Sequence, residues 1–272
     1  MHPNFLFIGP DKTGSSWLFE YFEAHPEVFV PACKDIYYFD KNFHRGARWY
    51  EAFFRPAPPG IKAIGEISHD YILSRDVATR IKATLPTVRL IASLRNPSDR
   101  TYSMYLYLKR SGLTQLSFRD ALVEYPALIR HSQYSELLEP YLQLFSREQL
   151  LLLDFDELRR DDQLFGDRVA SFLQLSSIPT SNIGVVRGAT RARSYLAAKL
   201  ANLGARGMRR LGRPEIVGAV KHSFVSKLLY APLERDQSRL TDEDRGYLNG
   251  VFQEDVGRLG DMLKQDYSKW LA

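Results

Sequence analysis

Residues 7–22, FIGPDKTGSSWLFEYF, constrain this chain more than any other stretch. An apolar run at 4–8 ends at Gly9, and Trp17, Leu18, Tyr21 and Phe22 follow Gly14 at helical spacing. The pattern predicts a buried strand, a glycine-bounded loop and a helix that stops at His25-Pro26, because the residue before a proline avoids the α region. The N–H groups at such a helix start favour an anion. Gly9 and Gly14 have the G-x-x-x-x-G spacing of a Walker A loop, but Ser15 stands where that motif has its lysine. Lys12 lies inside the loop instead, and Thr13, Ser15 and Ser16 add hydroxyl donors. A plain strand-to-helix turn with surface Lys and Ser is the simpler alternative, but it leaves the coincidence of anion-binding features unexplained.

The rest of the first 175 residues repeats the alternation. Strands are predicted at 36–39 (IYYF), 61–67 (IKAIGEI), 88–94 (VRLIASL) and 150–155 (LLLLDF). Helical turns are predicted at 49–54, and helices at 97–109 and 161–173. Asn96-Pro97 is an N-cap followed by proline at the first helical position. Strands alternating with helices imply a three-layer α/β fold, a parallel sheet flanked by helices. From Ser194 onward no strand is predicted; the C-terminal region reads as helical, with 240–263 its best helix. At 272 residues and 44% hydrophobic content, the chain fits one large domain with a sizeable core. The single cysteine, Cys33, excludes an internal disulfide and any multi-cysteine metal site, and suits a reducing cytoplasm. The N-terminus has no basic and apolar leader pattern, and no apolar run approaches the length of a membrane span.

Arg95 falls at the carboxyl end of the strongest strand, where open α/β sheets bind ligands. Ser103 lies on the helix that follows. Together they read as a second phosphate handle, the alternative being an Arg95–Asp99 ion pair with Ser103 as packing. Two handles on one sheet point to a nucleotide phosphorylated at two positions.

GPDKTGSSWL resembles the 5′-phosphosulfate loop of sulfotransferases that use 3′-phosphoadenosine 5′-phosphosulfate (PAPS), and LRNPSDRTYSMY resembles their 3′-phosphate motif. KDIYYFD (34–40) and GEISHDYI (65–72) resemble two further active-site blocks, in the same order over about residues 4–175. The similarity is to bacterial members related to heparan sulfate sulfotransferases. The resemblance implies one sulfotransferase domain over 1–272, with a nucleotide-binding core at 1–180 and a basic helical extension at 181–272. It assigns Lys12, Thr13, Gly14, Ser15, Ser16 and Trp17 to the 5′-phosphosulfate and Arg95 with Ser103 to the 3′-phosphate. It puts the catalytic base at Asp35, one methylene shorter than the family's usual glutamate. Glu66 and then His69 are the alternatives, because Ile67 stands where related glycan enzymes often carry a lysine. Arg187-Gly188 is the candidate for the late nucleotide-closing loop.

Sulfuryl transfer is governed by positioning and electrostatics, much as phosphoryl transfer is, so no metal is expected. Lys12 would stabilise charge on the bridging oxygen, and a carboxylate would take the acceptor's proton. The acceptor is expected to be a hydroxyl of a small-molecule natural product, with a glycan or lipid as alternatives. Between Arg187 and Lys227 ten basic residues face Glu215 alone, with Leu196, Leu200, Leu203, Met208 and Leu211 between them. That segment reads as amphipathic helices with a solvated basic face, as a lid over an anion, or as a peripheral membrane contact. No familiar nucleic-acid reader motif is present. The competing readings are a small-molecule P-loop kinase, for which LLLLD would be a Walker B strand, and a non-catalytic nucleotide-binding protein.

Overall fold

The computed structural model describes residues 2–181, 183, 190–192, 230–232 and 239–272, with positions 200, 203, 204 and 207 between them. In chain order the elements are β1 (Phe5–Gly9), α1 (Ser15–Ala24), β2 (Val28–Phe29), α2 (Ala47–Glu51), β3 (Ala63–Ile67), α3 (Arg75–Thr84), β4 (Arg89–Leu94), α4 (Pro97–Arg110), α5 (Phe118–Glu124), α6 (Ala127–Arg130), α7 (Tyr134–Leu144), β5 (Leu150–Asp154), α8 (Phe155–Arg160), α9 (Asp162–Leu173), β6 (Thr190–Ala192), β7 (Tyr230–Pro232) and α10 (Asp242–Leu263). They divide into two compact units, Met1–Arg95 with Leu137–Val186, and Asn96–Glu136 with Arg187–Ala272.

The first unit carries a parallel sheet in the order β2-β3-β1-β4-β5. β1 is central, and Phe5, Leu6, Phe7 and Ile8 are fully buried. A strand covered on both faces reads as an unbroken apolar run, which is why 4–8 was legible as one. Phe5 pairs with Gly65 of β3, and a Cβ on Gly65 would lie 2.5 Å from the Phe5 carbonyl oxygen. α1 packs Trp17, Leu18, Tyr21 and Phe22 into a core shared with Phe165, Val169 and Leu173 of α9. Each such large side chain contributes about 1.5–3 kcal/mol by leaving water. β1 and β4 are neighbours, so Gly9 and Arg95 lie at the carboxyl ends of adjacent strands, the place where open α/β sheets hold ligands.

Residues 36–39 are not a strand. Asp35 and Tyr37 adopt left-handed backbone, with φ of 65° and 53°, and the segment is a series of turns. Its N–H groups are taken by another loop: Asp35 donates to the Ile67 carbonyl, Tyr37 to the Ser68 hydroxyl, and Tyr38 to the Tyr71 hydroxyl. The short edge strand β2 takes the sheet position next to β3.

In the second unit, the Asn96 side chain caps α4 by accepting from the N–H groups of Ser98 and Asp99, with Pro97 in the first turn. Arg100 is fully buried and donates to the Leu128 carbonyl and the Ser132 hydroxyl. Ser135 donates through its hydroxyl and its N–H to buried Asp255 of α10. Tyr230–Pro232 pairs antiparallel with Thr190–Ala192, so the region after Ser194 does contain a strand. Pairing with a segment some 40 positions away leaves no local periodicity in so short a piece. The proposed closing loop at Arg187-Gly188 lies outside the described residues, as does almost all of the basic 187–227 segment.

Candidate active site

The loop from Gly9 to Gly14 leaves the central strand and enters α1. Lys12 and Gly14 both take positive φ, 67° and 96°, and Gly14 is the N-cap of α1 without any side-chain cap. Thr13 is fully buried and its hydroxyl donates to the Pro10 carbonyl at 2.7 Å, which closes the loop on itself. No acidic residue lies in the first turn of α1, so its N–H end carries no negative side chain. The Trp17 indole is buried and stacks on Tyr21 at 5.3 Å. It therefore offers an anion only its backbone N–H.

Lys34 reaches this helix start from the next block, its ammonium donating to the Ser15 hydroxyl at 3.2 Å and to the Ser16 hydroxyl at 3.3 Å. Arg95 donates from Nη1 to the Lys12 carbonyl at 3.2 Å, and its guanidinium lies 4.9 Å from the Phe155 ring centre. Asp99 receives Arg245 at 2.7 Å and is thereby engaged within the second unit. Ser103 lies on α4 of that unit and is half-buried.

Asp35 is buried, and its Oδ1 lies 2.7 Å from His69 Nδ1. On the other side of the imidazole, Nε2 lies 3.1 Å from the Tyr37 hydroxyl and 3.4 Å from Asp70 Oδ1. Burial pushes the imidazole pKa down, but the charge and hydrogen bond of Asp35, with Asp70 and Asp11 behind them, outweigh it and leave His69 above its ordinary 6.5. The backbone of His69 sits against the Gly9–Gly14 loop: a Cβ on Gly9, at φ 115°, would lie 2.0 Å from the His69 carbonyl oxygen. Loop and acid–imidazole pair are thus packed directly together.

Glu66 is buried and accepts a hydrogen bond from the Tyr71 hydroxyl. Burial pushes its pKa up to about 8, with the nearby Asp40 and Asp35 adding to the rise and the phenols of Tyr71 and Tyr50 opposing it. The same Tyr71 oxygen accepts from the N–H of Tyr38 at 2.8 Å. Glu66 therefore props the turn that carries Asp35. Sequence reasoning gave no site role to Lys34 or Tyr71; the signal for Lys34 was its place directly before Asp35 in KDIYYFD.

Among the described residues no group of three or more His, Cys, Asp or Glu is arranged to hold a metal. No described helix is long and apolar enough to cross a membrane.

The site is a parallel sheet whose central strand runs into a glycine-bounded helix-start loop, with Lys34 and Arg95 beside that loop and a carboxylate–imidazole pair packed against it. Residues 2–186 match the family described as "Sulfotransferase domain", and the chain belongs to that family. Over 194 residues, 63% of the chain, it is 32% identical to the mouse bifunctional heparan sulfate N-deacetylase/N-sulfotransferase 4. The match spans only 22% of that relative's length. It is also 33% identical over 147 residues, 49% of the chain and 31% of the relative, to the membrane-associated sulfotransferase kil1 of Dictyostelium discoideum. Among solved structures, a sulfotransferase from Alicyclobacillus acidocaldarius shares the fold with a TM-score of 0.74 at 23% identity, over 100% of both chains. Mouse sulfotransferase SULT7A1, solved with PAP, shares it with a TM-score of 0.53 at 14% identity, over 96% of this chain and 87% of that one.

Proposed function

We propose that this chain transfers a sulfuryl group from PAPS to an acceptor hydroxyl of a small-molecule natural product, a glycan or a lipid. The observation that carries this reading is the Asp35–His69 pair packed, through the Gly9 contact, against an anion-binding loop that holds Lys12. The residues fit such a donor: the uncapped start of α1 and the hydroxyls of Ser15 and Ser16 suit a phosphosulfate, and Arg95, held at the Lys12 carbonyl, offers a cation for a phosphate of the nucleotide. When bound, the donor supplies the activated sulfuryl group; every other role falls to the chain.

Lys12 then stabilises the charge that grows on the leaving phosphate oxygen. Three acids and bases compete for the acceptor's proton, and their surroundings rank them. Glu66 is buried and holds its own proton up to about pH 8. The upward shift of His69 comes from Asp35 itself, so carboxylate and imidazole act as one unit. Asp35 is proposed as the base, with His69 fixing its carboxylate and sharing the proton once it arrives. A cytoplasmic setting belongs to the same proposal and is supported by the single, buried Cys33.

No observation favours the kinase. Asp154, the end of the Walker B-like strand, caps α8 by accepting from the Asp156 N–H, and β5 lies at the sheet edge rather than beside β1.

Calorimetric titration with 3′-phosphoadenosine 5′-phosphate, and separately with ATP and magnesium, tests the reading. Tight, magnesium-free binding of the bisphosphate with much weaker ATP is the expected result. Magnesium-dependent ATP binding with the bisphosphate ignored would overturn it.

A further inference from the structure

His69 stands between two carboxylates. Its Nδ1 faces Asp35, 7% exposed, at 2.7 Å, and its Nε2 faces Asp70 Oδ1, 25% exposed, at 3.4 Å. The proposed reaction uses only the Asp35 side. Asp70 opens the short 3₁₀ turn Tyr71–Leu73, a position at which aspartate is favoured as a side-chain cap. It makes no such cap. Its carboxylate is turned instead to the imidazole and, through Oδ2, to the Lys41 ammonium.

The same ammonium lies 3.5 Å from the centre of the Tyr37 ring, and the Tyr37 hydroxyl is 3.1 Å from His69 Nε2. Asp70, Lys41 and Tyr37 are therefore gathered at one edge of the imidazole, with Asp35 at the other. Asp35 and Lys41 belong to one arm of the chain, so that arm meets the Nδ1 edge directly and the Nε2 edge through Asp70. The acids that act on the ring are Asp35, Asp70 and, from the Gly9–Gly14 loop, Asp11. Burial opposes a charged ring, whereas Asp35, then Asp70 and Asp11, favour one. Lys41 works against Asp70, and Asp40 lies 3.8 Å behind Lys41. A lone carboxylate is a weak base for a hydroxyl. Joined to an imidazole that has a carboxylate at each edge, it becomes a pair whose affinity for a proton lies nearer neutrality.

We infer that Asp70, held by Lys41, is a positioning residue for the Asp35–His69 base: it keeps the Nδ1 edge of the imidazole on Asp35 and supports the charge that the ring takes up with the acceptor's proton. The inference rests on the sulfotransferase reading. As the S–O bond to the acceptor forms and the S–O bond to the nucleotide phosphate breaks, the acceptor's proton passes to Asp35 and its charge is shared with the imidazole. Asp70 then faces the charged ring from the more exposed side, where the proton is returned to water.

The test is an NMR titration of the His69 ring in wild type, Asp70→Asn and Lys41→Met, with His69→Gln identifying the signal. Asp70→Asn keeps the shape and removes a charge that favours the imidazolium, so the ring should titrate about half a unit or more lower. Lys41→Met removes the opposing cation, so the ring should titrate higher. The value of kcat/KM for PAPS falls as pH drops and the pair fills with protons. Its acid limb should therefore move with the ring, to lower pH in Asp70→Asn and to higher pH in Lys41→Met. Ring shifts of the same sign in both variants, or a shift under about 0.2 unit in Asp70→Asn, would mark a purely structural ion pair and overturn the inference. Acid limbs that stay in place while the ring titration moves would also overturn it, because Asp70 would then act on an imidazole outside the base. If wild type fails to bind 3′-phosphoadenosine 5′-phosphate by calorimetry, the sulfotransferase reading falls, whereas the ring titrations still decide whether Asp70 and Lys41 govern His69.

Discussion

His69 Nδ1 lies 2.7 Å from Asp35 Oδ1, which makes the two side chains one titrating unit. Asp35→Asn should lower the rate of transfer by about 100-fold or more while leaving the Kd for the bisphosphate unchanged. His69→Ala should cost less, and the double variant should be no worse than Asp35→Asn, because both changes remove the same proton acceptor. Steady-state rates together with calorimetric affinities check this; additive losses would separate the two residues.

Lys12→Ala should lower turnover by about 100- to 1000-fold, the usual cost of removing a group that answers transition-state charge. Its melting temperature should stay close to that of wild type, since Lys12 is partly exposed at a loop. An enzyme that stays active without this ammonium would contradict its role at the leaving oxygen.

Glu66 provides a pH test of the fold. Its carboxyl moves from an ordinary 4.5 to about 8 on burial. The folded state then binds the proton more tightly than the unfolded chain. The resulting stabilisation is complete below about 4.5 and is lost as pH rises through 8. Glu66→Gln mimics the neutral form at every pH. Wild type should therefore lose stability relative to the variant between these limits, as read from denaturant midpoints at about pH 5, 7 and 9. Parallel curves would mean that Glu66 is charged when folded. In assays at neutral pH the variant should retain transfer activity, since the turn bearing Asp35 keeps its support from Tyr71.

Gly9→Ala should destabilise the fold by more than about 4 kcal/mol, because backbone rather than a flexible side chain blocks the new methyl group. Gly46→Ala is the matched control, with φ 78° and nothing within 4 Å of the added atom. It should cost about 1–3 kcal/mol of backbone strain. Calorimetric melts of the two variants distinguish contact from strain.

Strands β1, β4 and β5 and helices α1 and α4 were legible because their signals are local. Buried parallel strands are continuous apolar runs, and Gly14 and Asn96-Pro97 mark helix starts within a few residues. The turn at 34–40 was misread because IYYF satisfies a strand pattern by itself. What decides its shape is the set of acceptors supplied by Ile67, Ser68 and Tyr71, which lie some 30 residues away. Glu66 looked like a cleft acid from its place at a strand end, yet its register with Leu6 puts it within the sheet, beside phenols that no spacing rule connects to it. Lys34 has no periodic or motif signal of its own; the approach of its segment to α1 gives it the Ser15 and Ser16 hydroxyls as partners.

The carbonyl of His69 occupies the space a side chain would fill at Gly9. The two stretches therefore form one transplantable piece rather than two. Grafted alone onto another parallel sheet, the Gly9–Gly14 loop would leave its first glycine facing an empty gap. A graft that preserves function has to bring the 66–70 turn with it, and with that turn the acceptors that shape the Asp35 arm.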